Sequence, residues 1–351
     1  MDFLKEADFR KKIKSGLTGG YLFFGEEDYM KAATLALARN AVNGSPDEDR
    51  NSDGAYFNDI RLGGVDFTPT ALADAMAVPP MMADKKIITV TGIYIDNMKN
   101  AEFDELCEVL DELSRPELDY NLVIISLDSD ALDVGTLPKR PSARLTALAE
   151  RLTPVWFERN TPARLYAWVQ KHYQHNGVSA DSQICSFTVE WCGRNMYNLA
   201  SEIDKVSFYV KAHGREVPTP EDIRLVAIPA VEYDAFAFAN AVMEHKRDAA
   251  LDVLSDLKFR RVEPLMILTE VNRVLCDLLS VKALLDSGAT VGEVASSMHM
   301  HEYKAGLYSK QARSLEISRL REAVKACDDA DKSMKLSSKG YGALERLICS
   351  L

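Results

Sequence analysis

The sequence predicts an α/β domain followed by all-α domains. Three observations carry this: short apolar runs alternate with amphipathic stretches through residues 1–158, strand-like runs then fade, and from about residue 226 the chain reads as helix throughout. Strands alternating with helices of this length argue for a mostly parallel sheet covered by helices. A chain of 351 residues accommodates two or three domains, each with its own core. The expected divisions are 1–158, a small helical domain over 159–225, and a helical bundle over 226–351.

In the first domain, "YLFFG" (21–25), "KKIITVTGI" (85–93) and "NLVIISLD" (121–128) are apolar runs bounded by turn residues, hence strands. "YMKAATLALARNAV" (29–42) and "FDELCEVLDELS" (103–114) are amphipathic and helical. "NGSPDEDRNSDG" (43–54) reads as a polar loop, and "VGTLPKRPSARL" (134–145) as a mobile connection. In the second domain, Thr161 is placed as an N-cap, Pro162 at the first helical position and Gly177 just past the end of one helix. "MYNLASEIDKVSFYV" (196–210) makes a second helix, and the Pro-rich "EVPTPEDI" (216–223) closes the domain. In the third, Ile267, Val271, Val274, Leu278, Val281 and Leu285 recur at spacings of three and four. They form one apolar seam with Gly288 as its stop.

Composition excludes more than it selects. With 47% hydrophobic and 27% charged residues the chain is an ordinary globular one. No apolar run approaches a membrane span, and the opening "MDFLKEADFRKKIK" interleaves charges, so neither a signal peptide nor an anchor is expected there. A cytoplasmic, membrane-free protein is the expectation. The six cysteines are scattered without a C-x-x-C pair, which suggests reduced thiols and neither zinc nor disulfides. The net charge of −11 lies wholly in residues 1–158, which hold 28 acids against 17 bases. Residues 301–351 are mildly basic, with 10 Lys and Arg against 7 Asp and Glu, so any nucleic-acid contact is local.

Chemistry is scarce. A phosphate-binding loop has the form G-x-x-x-x-G-K-[ST], whose second glycine lets backbone amides curl round the phosphates while the hydroxyl holds magnesium. Here Gly25 opens the pattern, Met30 stands at the second glycine, Lys31 follows, and Ala32 replaces the hydroxyl. Glu26, Glu27 and Asp28 put three carboxylates where a polyanion would sit, and the strand at 85–93 ends in Thr91 and Gly92, not an acid. Productive ATP hydrolysis is therefore not expected, and Lys31 reads as a solvated helix residue. His299, His301 and Glu302 lack metal-site spacing, and His172 and His175 read as solvent-facing. No nucleophile elbow or Cys/His dyad is present. No catalytic residue, cofactor or metal is expected.

"AMAVPPMMADKK" (75–86) is odd for another reason. Pro79 and Pro80 interrupt a helix and present Met81 and Met82 just before a charged turn and a strand. Adjacent methionines cannot share one face, so at least one points away from the local core. Local reasoning alone favours burial of both beneath the sheet.

The order and spacing of several stretches together resemble the delta subunit of the bacterial DNA polymerase III clamp loader. They are "YLFFGEEDYMKAA" (21–33), "PPMMADKKIITV" (79–90), "NLVIISLDSDALD" (121–133), "NLASEIDKVSFY" (198–209), "EPLMILTEVNRVLCDLLSVKALL" (263–285) and "ALERLICSL" (343–351). The resemblance implies an AAA+-like domain unable to bind nucleotide, a small helical lid and a helical collar. It implies a subunit of a heteropentameric loader that grips the ring-shaped sliding clamp (beta) and opens one of its interfaces for loading onto primed DNA. ATP is then hydrolysed by the neighbouring motor subunits (gamma/tau), with delta-prime as a further partner. The clamp-contact pair of that family matches Met81 and Met82, with Pro80 before them, which reverses the local expectation of burial. Lys335, Lys339 and Tyr341, in a collar that lies near the primer end, become DNA-contact candidates. The zinc module and Ser-Arg-Cys motif of delta-prime are missing. Two readings of other classes stand beside this one: an active ATPase with a divergent loop, and a non-catalytic scaffold or adaptor in which Met81 and Met82 are core.

Overall fold

The computed structural model describes residues 3–43, 57–300, 302–336 and 340–350, so that the polar stretch after Asn43 lies outside the described residues. The chain divides into two compact units, Met1–Pro162 and Ala163–Leu351.

The first unit runs β1 (Leu4–Lys5), α1 (Glu6–Ser15), β2 (Gly19–Phe24), α2 (Asp28–Asn43), β3 (Asp59–Gly63), α3 (Pro69–Ala77), β4 (Lys86–Thr91) and α4 (Asn100–Asp111). It continues with β5 (Asn121–Ser126), β6 (Gly135–Thr136), β7 (Arg140–Pro141), α5 (Ala143–Ala149) and β8 (Thr153–Trp156). Six strands form one sheet in the order β1-β8-β2-β5-β4-β3, and every pairing in it is parallel. This is the AAA+-like α/β arrangement that the resemblance implies. Alternation in the strands splits the core in two. Leu22, Phe24, Ile88, Val90, Val123 and Ile125 pack with Leu72 and Met76 of α3, Phe103 and Leu106 of α4, and Leu145 and Leu148 of α5. Tyr21, Phe23, Ile87, Leu122, Ile124 and Val155 pack on the opposite face with Phe9 of α1 and with Leu35 and Ala38 of α2. Period-two side chains on strands covered by helices on both faces give near-continuous apolar runs.

Two features depart from expectation. β3 pairs only with β4 and is half-exposed along its length, so it lacks the apolar run of a central strand. The 134–145 segment is an ordered antiparallel hairpin, β6–β7, leading into α5 through a Ser142 cap whose hydroxyl accepts from the Leu145 amide.

The second unit begins with α6 (Pro162–His175), which enters it from the preceding unit, then α7 (Ser182–Cys192), α8 (Met196–Ala212) and α9 (Pro220–Val226). Tyr173 is buried among these helices with its hydroxyl 3.1 Å from that of Thr188. His172 is not solvent-facing as expected: its ring lies 2.8 Å from Asp204 and is largely buried. The Ala230 amide donates to Trp191 O and the Trp191 indole to Ala227 O, so these helices hold the chain to Ala230, past the expected division at 225. α10 (Val231–Met243), α11 (Arg247–Phe259), α12 (Pro264–Asp286), α13 (Val291–Ser297), α14 (Glu302–Arg313), α15 (Ile317–Leu336) and α16 (Gly340–Ser350) follow. Their core draws on buried residues from Ala235 to Ile348. At its centre Ile267, Val271, Val274, Leu278 and Val281 of α12 are all buried, with Leu285 packed at the edge.

α9 starts at a capping box in which Thr219 and Asp222 exchange hydrogen bonds, and Arg215 makes a two-pronged pair with Asp222 at 2.6 and 2.8 Å. These contacts, the guanidinium first, hold the Asp222 carboxyl well below the usual carboxylate range. The stability it contributes is present above the unfolded-state value and is lost as pH falls toward the depressed folded one. The stability gap between wild type and Asp222→Asn is therefore expected to narrow as pH falls from about 6 to about 3. Urea titrations at several pH values measure it, and a constant gap would remove Asp222 from the acid response.

Candidate functional site

Because all six strands are parallel, chain entering a strand and chain leaving one lie on opposite edges of the sheet. The degenerate phosphate loop leaves β2 on one edge, and the Met81–Met82 loop enters β4 on the other. A six-residue strand separates the edges by roughly 20 Å.

At the first edge Gly25 has φ +112°, and a Cβ there would stand 2.5 Å from Phe157 O and 2.9 Å from the Trp156 ring. The glycine is required by close passage of the chain after β8. Lys31 is not a solvated helix residue: it is 2% exposed. Its ammonium donates to Gly25 O at 2.7 Å and Leu127 O at 2.5 Å, and pairs with Asp28 at 2.8 Å. An ammonium has three hydrogens, and three protein acceptors take them. Asp28 in turn accepts from the Ser129 amide and hydroxyl at 3.0 and 2.9 Å. The Glu27 amide, which would face a phosphate, donates to Phe157 O at 3.3 Å. Burial raises the Glu27 carboxyl above its ordinary range. Met30 packs against the core on that face, and Ala32 is exposed. The loop's interactions are thus satisfied from within.

At the second edge, α3 starts from the Thr68 cap, whose hydroxyl accepts from the Ala71 amide at 3.1 Å, with Pro69 at the first position. It stops at Ala77 because Val78 precedes a proline and takes the extended conformation. The last carbonyls of a helix have no partner within it. Here side chains from β4 and the start of β5 supply them. Lys86, 1% exposed, donates to Ala75 O, Val78 O and, at 3.5 Å, Met76 O. The Tyr120 hydroxyl donates to Met76 O and Ala77 O at 3.2 and 3.3 Å, and the Asn121 amide to Met76 O at 3.1 Å. With carbonyls and the Tyr120 ring around it, the Lys86 amine is pulled down by burial to a pKa of about 8. Beyond the prolines, the buried Asn58 side chain accepts from the Met81 amide at 2.7 Å and donates to Met81 O at 2.8 Å. Lys85 donates to Leu17 O at 3.1 Å.

On this held backbone Pro80 is half-buried, Met81 is 49% exposed and Met82 is 91% exposed. Neither methionine is core, so the scaffold reading loses its premise. Met82 has φ +54°, a left-handed conformation that costs an ordinary side chain roughly 1–2 kcal/mol. Sequence reasoning found the methionines through the resemblance and missed Asn58 and Lys86.

Of the collar candidates, Lys335 is exposed and paired with Asp331 at 2.7 Å. Tyr341 donates its hydroxyl to Val262 O at 2.6 Å and carries the Lys258 ammonium 5.5 Å from its ring centre, so it is engaged within the bundle. Lys339 and His301 lie outside the described residues. Among the described residues there is no His, Cys, Asp and Glu cluster suited to a metal. Cys107, Cys185, Cys192 and Cys327 are buried free thiols, Cys276 and Cys349 exposed ones. No helix among the described residues is long and apolar enough to cross a membrane.

Comparison with known proteins adds independent findings. Residues 232–351 match the family described as DNA polymerase III delta subunit, C-terminal domain. The chain is 21% identical over 344 residues to DNA polymerase III subunit delta of Bacillus subtilis, covering 97% of this chain and 95% of that one. A probable DNA polymerase III subunit delta of Aquifex aeolicus is 22% identical over 136 residues, 38% of each chain. The solved Bacillus subtilis DNA clamp loader delta protein (YqeN) has a similar fold, with a TM-score of 0.52 at 18% identity over 98% of both chains. With the delta-subunit collar matched over 232–351 and a delta-subunit relative spanning nearly its whole length, this chain belongs to the DNA polymerase III delta-subunit family.

Proposed function

We propose that this protein is the clamp-opening subunit of a replication clamp loader. It grips the sliding clamp through Met81 and Met82, with Pro80 setting their approach, and holds one interface of the ring open for loading onto primed DNA. ATP is hydrolysed by motor subunits of the gamma/tau kind, with delta-prime completing the assembly. The observation that carries the reading is Met82, 91% exposed in a left-handed conformation on a backbone held by buried side chains. A long apolar side chain displayed at the end of a fixed loop suits insertion into an apolar pocket, and methionine adapts to its shape. The family prefers an aromatic ring here. Methionine gives up more rotamer freedom on docking, which lowers affinity without moving the contact.

The internally satisfied Lys31 supports the division of labour, since its ammonium has no donor left for a phosphate. For DNA, Lys335 is the better of the described candidates, because a surface pair such as Lys335–Asp331 is weak enough to exchange for a phosphate.

The test is surface plasmon resonance against the sliding clamp of the same organism, comparing wild type with Met81→Ser/Met82→Ser and checking both by circular dichroism. Met82 is the main anchor, and its loss alone is expected to cost about 2 kcal/mol, roughly thirtyfold in affinity, with the fold intact. A folded double variant that binds as tightly as wild type would refute the contact assignment.

A further inference from the structure

We infer that Asn58 and Lys86 are the positioning residues of the contact loop, holding the backbone at Met81 and Met82 in its docking conformation before any partner arrives. The inference rests on the clamp-contact reading of Met81 and Met82 and extends it to two side chains too buried to touch a partner.

Buried polar side chains are costly unless their hydrogen bonds are made. Asn58 is 3% exposed and Lys86 1%, and their side-chain hydrogen bonds go to the backbone between Ala75 and Met81. Asn58 takes both the amide and the carbonyl of one residue, Met81, as a neighbouring strand would. This fixes the peptide planes on either side of Met81 and delivers the chain to Met82 at φ +54°. Lys86 fixes the carbonyls at 75, 76 and 78. Between the two clamps stand Pro79 and Pro80, whose rings lock φ near −65°. The backbone from the end of α3 to Met81 is thereby ordered in advance, and the partner has mainly methionine side chains left to order. Preorganisation of this kind raises affinity by removing an ordering cost from the binding step. It compensates for flexible methionines where the family carries rigid rings.

The alternative is that both residues serve only the stability of the first unit. Asn58→Ala and Lys86→Met in the full chain separate the two. Each is compared with wild type by circular dichroism, by spectra of ¹³C-methyl-methionine in the free protein, and by affinity for the sliding clamp. The expected result is a retained fold, displaced and narrowed Met81 and Met82 methyl resonances with Met196 and Met243 unchanged, and an affinity about tenfold or more weaker. Unchanged affinity in a folded variant overturns the inference. So does loss of the fold in both variants, since a positional role leaves the unit folded. If wild type itself binds no clamp, the contact reading fails by itself. The methyl spectra then still decide whether Asn58 and Lys86 hold the loop, and unchanged resonances overturn it.

Discussion

Lys31→Met destabilises the first unit by about 3 kcal/mol while leaving nucleotide binding as it was, which is to say absent. The stem of the lysine is replaced, so the loss is that of the ammonium. Removing it strands Gly25 O and Leu127 O, and a buried acceptor left without a donor costs about 1–3 kcal/mol. It also leaves Asp28 without its cation. The Asp28 side chain is 34% exposed and keeps its bonds from Ser129, so water absorbs part of that loss, which keeps the estimate at the lower end of the range of about 3–5 kcal/mol for breaking a buried pair. Urea denaturation measures the effect, and a shift within about 0.5 kcal/mol, the scatter of surface substitutions, would show that the ammonium braces nothing. Equilibrium dialysis with ATP supplies the second reading. Micromolar binding that disappears with Lys31 would revive an active ATPase.

Gly25→Ala is the second large effect, and for a different reason. The new methyl meets Phe157 O at 2.5 Å and the Trp156 ring at 2.9 Å, and φ +112° is strained for any side chain. The obstructing oxygen belongs to backbone that accepts the Glu27 amide, so it cannot retreat without breaking a second contact. Overpacking and strain together are expected to cost about 3 kcal/mol or more. Gly214 is the control, with φ +68° and nothing within 4 Å of an added Cβ, so that Gly214→Ala carries the conformational cost alone, about 1 kcal/mol. Equal losses at the two sites would mean that the Phe157 carbonyl yields, and that Gly25 is dispensable to the packing.

Both predictions concern residues that look, in the sequence, like remnants of nucleotide chemistry. The pattern located Gly25 and Lys31, but their roles depend on Phe157 and Leu127, more than ninety positions away from each, and no local spacing reports such partners. The same limit hid Asn58 and Lys86. A lysine after a charged turn reads as solvated until the carbonyls of α3 fold back onto it. His172 was misread likewise, because Asp204 reaches it from another helix. Where burial follows from periodicity alone, reading was direct: the α12 seam is buried where its spacing predicts, and the central strands are apolar on both faces. β3 escaped notice because an edge strand has one neighbour and keeps polar side chains. The methionine pair was legible only through resemblance, since two adjacent apolar residues do not announce which side they face.

The parallel sheet sets its two loops on opposite rims, and this has an evolutionary consequence. Substitutions that dismantled a phosphate site around Gly25 altered residues that share no contact with the chain between Ala75 and Lys86. One rim could decay, and be rebuilt as a brace from its own lysine, without a compensating change at the other. A fold of this design lends itself to losing one activity while its second surface stays under selection. The Met81–Met82 rim is free to drift in its own right, trading ring for thioether as its partner's pocket changes.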